Sequence, residues 1–111
     1  MPKHSGRLDG VFQALADPTR RAVVDRLSAG PASTSDLARP FRMALPSFLQ
    51  HLDTLQKCGL VRSRKVGRVR TYRLVPRTLR DAEDWMAARR AVWERRLDQL
   101  DEYLNTLKEK P

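Results

Sequence analysis

Cysteine and long apolar runs are what this sequence has least of. The 111 residues include one cysteine, Cys58, so no disulfide can form within the chain, and this fits a reducing compartment. No apolar run approaches the roughly 20 residues that a membrane span needs, and the first residues lack the apolar core of a signal peptide. We therefore expect a soluble, cytoplasmic protein that does not contact a membrane.

Residue patterns for catalysis and for metal binding are also missing. No nucleophile–base pair, carboxylate pair or glycine-rich phosphate loop occurs at a usable spacing. The two histidines, His4 and His51, lie far apart in the chain, and no histidine follows His51. The missing catalytic patterns predict that the chain is not an enzyme. Because metal sites in proteins need three or four N, S or O ligands, we also predict that it holds no metal, and we expect no other cofactor.

Acidic residues are absent from residues 59–77, which carry seven of the 22 basic side chains. The whole chain has a formal net charge of +9, so most of the excess lies in this one stretch. A surface that is basic only for solubility would not be concentrated in this way. The distribution indicates a polyanionic partner, with nucleic acid first and an anionic membrane second.

Apolar periodicity and capping residues predict helices in the first third of the chain. After a loose tail over Met1–Gly6, apolar residues at helical spacing predict a short helix over Leu8–Leu15. Asp17-Pro18, as N-cap and first helical residue, begins a second helix, which ends at Gly30-Pro31. Arg20 and Arg21 near its start either contact DNA or cap packing within the domain, and the sequence favours neither alternative.

The stretch Leu45–Gly59 is predicted to be an amphipathic helix. Its apolar residues form one stripe with a period of 3.6: Leu45, Phe48, Leu49, Leu52 and Leu55. The opposite face carries hydrogen-bonding groups and one full positive charge: Ser47, Gln50, His51, Thr54 and Lys57. Such a face suits contact with base edges in a major groove, whereas an ordinary surface helix usually mixes Glu, Lys and Arg. With a short capped helix over 33–38 before it, the segment forms a helix-turn-helix pattern.

After Gly59 the period changes to that of β-strands. Residues 60–65 and 69–75 predict a hairpin joined by Val66-Gly67-Arg68, and Pro76 ends its second strand. A basic hairpin directly after a helix-turn-helix is the layout of a winged helix. The basic residues predicted to contact DNA phosphates, with Arg68 reaching a minor groove, are Arg62, Arg64, Lys65, Arg68 and Arg70. The alternative for them is a charged edge that protects exposed strands.

A heptad pattern from about Thr78 to Lys108 predicts one long C-terminal helix. Leu79, Met86, Trp93, Leu100 and Leu107 recur every seven residues, and Leu97 and Leu104 fill the companion positions. Thirty residues of helix are about 45 Å long, so the core of one small domain cannot cover the whole apolar stripe. The stripe therefore needs a second chain, and a two-fold dimer is the default. Trp85, Trp93 and Tyr103 either belong to that interface or line a ligand pocket.

Several segments together resemble the ArsR/SmtB family of bacterial transcriptional repressors. They include the ALADPTRR run and the QHL…GLV spacing, and lie at Phe12–Arg21, Ser35–Ala38, Leu45–Leu52, Cys58–Val61 and Gly67–Tyr72. The resemblance implies a winged-helix homodimer with a palindromic operator, usually released from DNA by an inducer or a metal. It also implies that the first and last helices form the dimer interface, here through Leu8, Val11, Phe12, Met86, Trp93, Leu97, Leu100 and Leu104.

Departures from the family pattern bear on metal sensing and on the operator. Members that sense soft metals carry a Cys-x-Cys where this chain has Ser33 and Ser35, which are poor ligands for such ions. Family members commonly have Ser or Thr and then Lys or Arg where this chain has Leu49 and Gln50, and a basic residue at Asp53. The segment Trp93–Leu104 is similar to a subgroup, not sensing metals, whose genes often neighbour those of START-like (SRPBCC) proteins.

The resulting prediction is one mostly α domain over 1–111, a winged helix-turn-helix of order α-α-α-α-β-β-α that forms a homodimer. We predict a sequence-specific regulator of transcription, a repressor that binds a palindromic site in double-stranded DNA through helix 45–57 and a wing over 62–73. The alternative is a protein-interaction module that uses the long C-terminal helix. The sequence leaves open the operator and target genes, any small-molecule or protein inducer, activation instead of repression, and a redox role for Cys58.

Overall fold

A computed structural model describes residues 3–109, and within them the chain forms five helices and a small sheet. The elements, in chain order, are α1 Lys3–Leu15, α2 Pro18–Leu27, β1 Ala32–Ser33, α3 Thr34–Ala38, α4 Leu45–Lys57, β2 Val61–Val66, β3 Val69–Leu74 and α5 Pro76–Glu109. The predicted loose tail is wrong for Lys3–Gly6, which belong to α1, while Met1 and Pro2 lie outside the described residues. The apolar periodicity begins at Leu8, so it gave no sign of the polar first turn.

The sheet has one strand more than the predicted hairpin. Its order is β1-β3-β2, and both pairings are antiparallel. Gly67, with a φ of +62°, and Arg68, whose φ is not positive, form the two-residue turn between β2 and β3, as in a type II′ hairpin. The added strand β1 places Ala32 opposite Tyr72 and was missed because two residues show no period.

Helix boundaries follow the predicted capping residues. The Asp17 carboxylate accepts a hydrogen bond of 3.0 Å from the Arg20 backbone N–H and caps α2. The Ser33 hydroxyl accepts one of 3.2 Å from the Asp36 backbone N–H and caps α3. Gly59 has a φ of +83° just after α4, as a left-handed residue at the end of a helix requires. These caps confirm the predicted arrangement of the helix-turn-helix.

The core lies between α1, α2, α3, the buried side of α4 and the base of the hairpin. Its largest fully buried apolar side chains are Phe48, Leu37, Leu52, Leu55, Leu60, Val11, Val23 and Val61. Only three of the five residues in the predicted stripe of α4 are buried, because Leu45 and Leu49 are 53% and 41% exposed. Val11 is 1% exposed in the single chain, so it packs in the core of the protomer, and its predicted place in a dimer interface stays a prediction.

The helix α5 is tied to the end of α4 and then leaves the domain. The buried Thr78 hydroxyl donates to the Gly59 carbonyl at 2.6 Å and accepts from Arg7 Nη2 at 3.1 Å. Ala82 still packs in the core, but every residue from Val92 to Glu109 is exposed. The molecule is therefore elongated, with a longest extent of 78 Å.

Candidate nucleic-acid interface

Four sides of the helix α4 have four different surroundings. Phe48, Leu52 and Leu55 mark the side in the core, and on a helix of 3.6 residues per turn Gln50 and Lys57 lie opposite them. The outermost side is polar, and Lys57 Nζ lies 2.9 Å from the Asp53 carboxylate. Asp53 is thus paired within its own helix and does not present an uncompensated negative charge. The two flanks between these sides differ from each other.

One flank, which we call the inner flank, carries Ser47, His51 and Thr54, and the last two side chains lie against other helices. His51 Nδ1 lies 3.1 Å from Arg20 Nη1 and 3.8 Å from the Asp17 carboxylate, and its side chain is 23% exposed. Since a guanidinium can only donate, Nδ1 is the acceptor in that hydrogen bond. Thr54 donates to the Gln50 carbonyl at 3.0 Å and faces a cavity beside α1. DNA contact by His51 and Thr54 stays a prediction, which this geometry does not favour.

The arginines next to the inner flank cap the end of α1. Arg20 donates to the carbonyls of Ala14 and Gln13 at 2.8 and 3.0 Å, and Arg21 donates to the Leu15 carbonyl at 2.7 Å. Packing within the domain is therefore the role that the structure gives both. The hydrogen bond from the Arg20 backbone N–H, helped by the positive charge of the Arg20 guanidinium, holds the pKa of Asp17 below its usual value despite partial burial.

The other flank, which we call the wing flank, faces the hairpin. Gln56 Oε1 accepts a hydrogen bond of 2.9 Å from the Ser63 hydroxyl, which in turn accepts one of 2.8 Å from Arg70 Nη1. A groove of about 360 Å³ separates α4 from the wing. The groove is lined by Leu49, by the start of α3 and by the outer hairpin: Ser33, Thr34, Ser35, Leu49, Lys65, Arg68, Val69, Arg70 and Tyr72.

The register of the hairpin divides its basic residues between two faces. Residues directly opposite each other in antiparallel strands project to the same side, and successive residues alternate. The pairs Ser63–Tyr72 and Lys65–Arg70 thus share the face that turns toward the core and α4. Arg62, opposite Arg73, and Arg64 project from the other face. Among the predicted phosphate contacts, Lys65, Arg68 and Arg70 line the groove, while Arg62 and Arg64 do not.

Leu45, Leu49 and Gln56 also lie on the wing flank, and none of them was predicted from the sequence as a site residue. Leucines at helical spacing predict burial, and nothing in the periodicity separates the two outer leucines from the three residues that reach the core. The one available sign was the departure from the family pattern at Leu49. The predicted Gln50 and Lys57, by contrast, are exposed on the outermost side of α4, and Lys57 also lines the cavity beside α1.

An apolar stripe runs along the exposed part of α5. The residues predicted there for the dimer interface, Met86, Trp93, Leu97, Leu100 and Leu104, are all exposed in the single chain. Leu8 and Phe12 of α1 are partly buried beside it. Trp85 packs edge-on against Phe12 at 5.8 Å between ring centroids, and the Arg89 guanidinium lies over its ring. A dimer interface on this stripe stays a prediction.

Two further kinds of site, a metal centre and a reactive thiol, can be examined in the described residues. In residues 3–109 no three His, Cys, Asp or Glu side chains are grouped as a metal ion would need. Burial raises the pKa of the Cys58 thiol, and its Sγ lies 3.3 Å from the Leu55 carbonyl, so the reactive thiolate is disfavoured there. None of the helices described is long and apolar enough to cross a membrane.

Known proteins with similar sequences regulate transcription. A family model described as a helix-turn-helix domain matches residues 15–64. The transcriptional repressor SdpR of Bacillus subtilis is 33% identical over 79 residues, which are 71% of this chain and 88% of that protein. The HTH-type transcriptional regulator Rv2034 of Mycobacterium tuberculosis is 46% identical over 68 residues, 61% of this chain, and the match spans only 64% of that relative's length.

Solved structures show the same architecture. The crystal structure of an ArsR family transcriptional regulator, RHA00566, matches with a TM-score of 0.79 and 50% identity over 85% of this chain and 97% of that one. An ArsR-like transcriptional regulator from Rhodococcus sp. RHA1 matches with a TM-score of 0.77 and 34% identity over 89% of this chain and 93% of that one. The winged helix-turn-helix fold is confirmed by these matches.

Proposed function

The chain belongs to the ArsR family of DNA-binding transcriptional regulators, and from this premise we propose that it is a dimeric repressor that binds a palindromic operator. The observation that carries the proposal is the position of the basic hairpin. Lys65, Arg68 and Arg70 lie across a groove from the open flank of α4. A helix with cations beside its exposed edge suits a duplex, because the phosphates flank the major groove into which the helix fits.

In the proposed complex α4 enters the major groove and the wing contacts the adjacent backbone. Gln50, on the outermost side of α4, is the polar side chain best placed for base edges, and its amide matches the donor and acceptor of adenine. Lys65, Arg68 and Arg70 supply positive charge on the wing side of it, and Lys57, whose charge is paired with Asp53, stays in the proposed set. Ser47, at the start of α4, remains in the proposed set because it is exposed. Arg62 and Arg64 reach DNA only if the duplex wraps around the wing.

We propose that the second protomer covers the apolar stripe of α5. The stripe extends well past the globular part of the chain, so residues of the same protomer cannot cover it. Leu8 and Phe12 of α1 lie beside the start of this stripe and extend the same surface. A two-fold axis through such an interface places the two copies of α4 about one helical turn of DNA apart or more.

The proposed repressor does not sense a metal through α3. Ser33, which stands at a position of the soft-metal sensors' cysteines, already uses its hydroxyl as the N-cap of α3, and Ser35 is likewise a poor ligand. Because no histidine follows His51 in the chain, we do not expect a metal site on α5 either, and we propose that a small molecule, a partner protein or protein concentration controls release from DNA. We place the protein in the cytoplasm, where a bacterial regulator meets its DNA.

The first experiment selects bound sequences from random duplex DNA and measures affinity for the best binder by fluorescence anisotropy at several salt concentrations. We expect a palindromic consensus. The variant Lys65→Ala/Arg70→Ala should weaken binding and reduce the slope of log K against log salt by about 0.9 for each phosphate that the protein no longer neutralises. The matched control Arg62→Ala/Arg64→Ala removes the same charge from the opposite face of the wing and should change both quantities much less.

Equal effects of the two double variants would show that net charge, and not the groove, sets the affinity. Selection of no sequence beyond general polyanion binding would contradict the repressor proposal. A chain that also stays monomeric at micromolar concentration in sedimentation equilibrium would favour the protein-interaction alternative. A dimer of twice the 12.8 kDa chain mass that selects a palindrome would support the proposal.

A further inference from the structure

Two leucines lie next to each other on the wing flank of α4, open to solvent. Leu45 is 53% exposed and Leu49 is 41% exposed. Residues four apart on a helix are neighbours on its surface, so the two side chains form one small apolar patch. Single exposed leucines are ordinary on protein surfaces, but this pair lies beside a groove that three cationic side chains line, those of Lys65, Arg68 and Arg70.

The patch lies where the proposed complex brings the base edges. Leu49 lines the groove together with Lys65 and Arg70 of the wing. It is also adjacent in sequence to Gln50, which is on the outermost side of the same helix. When α4 enters a major groove and the wing contacts the backbone, we expect Leu49 and, one turn before it, Leu45 to face the duplex on the wing side of α4.

A leucine side chain can neither donate nor accept a hydrogen bond, so it cannot match the polar groups of a base edge. Among the groups that base pairs present in the major groove, the 5-methyl of thymine is the apolar one. Contact between leucine and this methyl removes apolar surface of both partners from water. A cytosine at the same place has a hydrogen on C5 instead of the methyl group, so this apolar contact would be lost.

We propose that Leu45 and Leu49 recognise thymine methyl groups, so that each half-site of the operator carries thymines at positions set by these two side chains. This inference rests on the proposed function and deepens it. In this proposal the apolar wing flank of α4 contacts DNA, while the polar inner flank packs against the protomer. Composition alone would suggest the opposite assignment. Discrimination at these positions comes from methyl burial, and at the Gln50 position from hydrogen bonds.

The test replaces thymine by deoxyuridine, which lacks only the 5-methyl group, at one half-site position at a time in the selected operator. Affinity of the unmodified protein should fall about fourfold for each methyl in contact with leucine. In the variants Leu45→Ala and Leu49→Ala the thymine and deoxyuridine operators should bind equally at the corresponding position. Leu49→Met, which keeps an apolar side chain of similar size, should retain most of the difference.

The matched control is Val92→Ala, which removes methyl groups from a side chain of similar exposure on α5 and should keep the fourfold difference. Deoxyuridine outside the consensus should have no effect on any variant. If a palindrome is selected but deoxyuridine is harmless throughout, or if its penalty persists in Leu45→Ala/Leu49→Ala, the inference is wrong while the repressor proposal stands. If no sequence is selected, the repressor proposal itself fails.

Discussion

The inner flank of α4 is polar yet packs against the protomer, whereas its wing flank is apolar yet open. On the inner flank His51 can be half-buried because Arg20 supplies a hydrogen bond and the Asp17 carboxylate lies nearby. On the wing flank Leu49 stays exposed because the sheet leaves a groove there, and Leu45, one helical turn earlier, is exposed as well. The comparison teaches that the chemistry of a helix face does not fix its surroundings. The neighbouring elements decide which polar groups are satisfied and which apolar groups are covered.

The same lesson holds for the two faces of the wing. Arg64 and Lys65 are neighbours in sequence, but the strand places them on opposite sides of the hairpin. Ser63 and Arg70 are joined to Gln56 of α4 by hydrogen bonds, so one face has a fixed position relative to that helix. The charge of the segment says nothing about this division.

The first prediction compares how much two leucines of α4, one on its core side and one on its wing flank, contribute to the free energy of unfolding. Leu52 is fully buried, so Leu52→Ala should lower the free energy of unfolding by about 2–5 kcal/mol, because apolar burial is removed and a cavity remains. Leu49→Ala, the same change at an exposed position, should cost less than about 1 kcal/mol. Urea unfolding at one fixed protein concentration measures both, because dimerisation would shift apparent stability. Similar costs would contradict the assignment of Leu49 to an open flank.

A smaller effect compares the outermost side of α4 with its inner flank. Gln50→Ala should reduce the preference for the operator over random DNA by about 1–3 kcal/mol, the value of a good contact to a base edge. Thr54→Ala should leave that preference within about twofold, because the Thr54 hydroxyl bonds to its own helix and faces α1. Competition binding with labelled operator gives both values. A larger loss for Thr54 than for Gln50 would return the inner flank to the DNA-contacting surface.

The smallest effect concerns the charges that support the inner flank. The pKa of Asp17 is lowered in the folded protein, so its carboxylate adds stability above its usual pKa near 3.8, and this is lost as the pH falls through the lowered value. Asp17→Asn keeps an N-cap but removes the charge beside His51 and Arg20. We expect a loss below about 1 kcal/mol at neutral pH that vanishes under acid conditions, measured by urea unfolding across pH. A difference that is independent of pH would show that capping alone matters.

Most of the architecture can be predicted from the sequence. The capping residues Asp17 and Ser33 act locally, within three residues, so their effect is visible in the sequence. The start of α5 at Pro76 falls close to the predicted residue 78. The strand β1 could not be predicted, because its two residues become a strand only by pairing with Tyr72 and Thr71 far along the chain.

The prediction of the site was less complete for the same reason. Gln50 and Lys57 are exposed on the outermost side of α4, and Lys65, Arg68 and Arg70 line the groove beside this helix. The contacts of all five with DNA remain predictions. Val11 was assigned to a dimer interface but lies in the protomer core. His51 and Leu49 have surroundings opposite to those that their side-chain chemistry predicts. Each of these depends on a contact with an element distant in sequence.

Local period, capping and composition are enough to predict the helix-turn-helix, the hairpin, their order and the place of the positive charge. Which flank of α4 is open, and which face of the wing lies beside it, depends on packing between elements that are distant in the chain. The reason is geometric. The position of a residue in a helix sets the direction in which its side chain points from the helix axis. The packing of α1, α2 and the sheet around α4 then decides what lies in that direction.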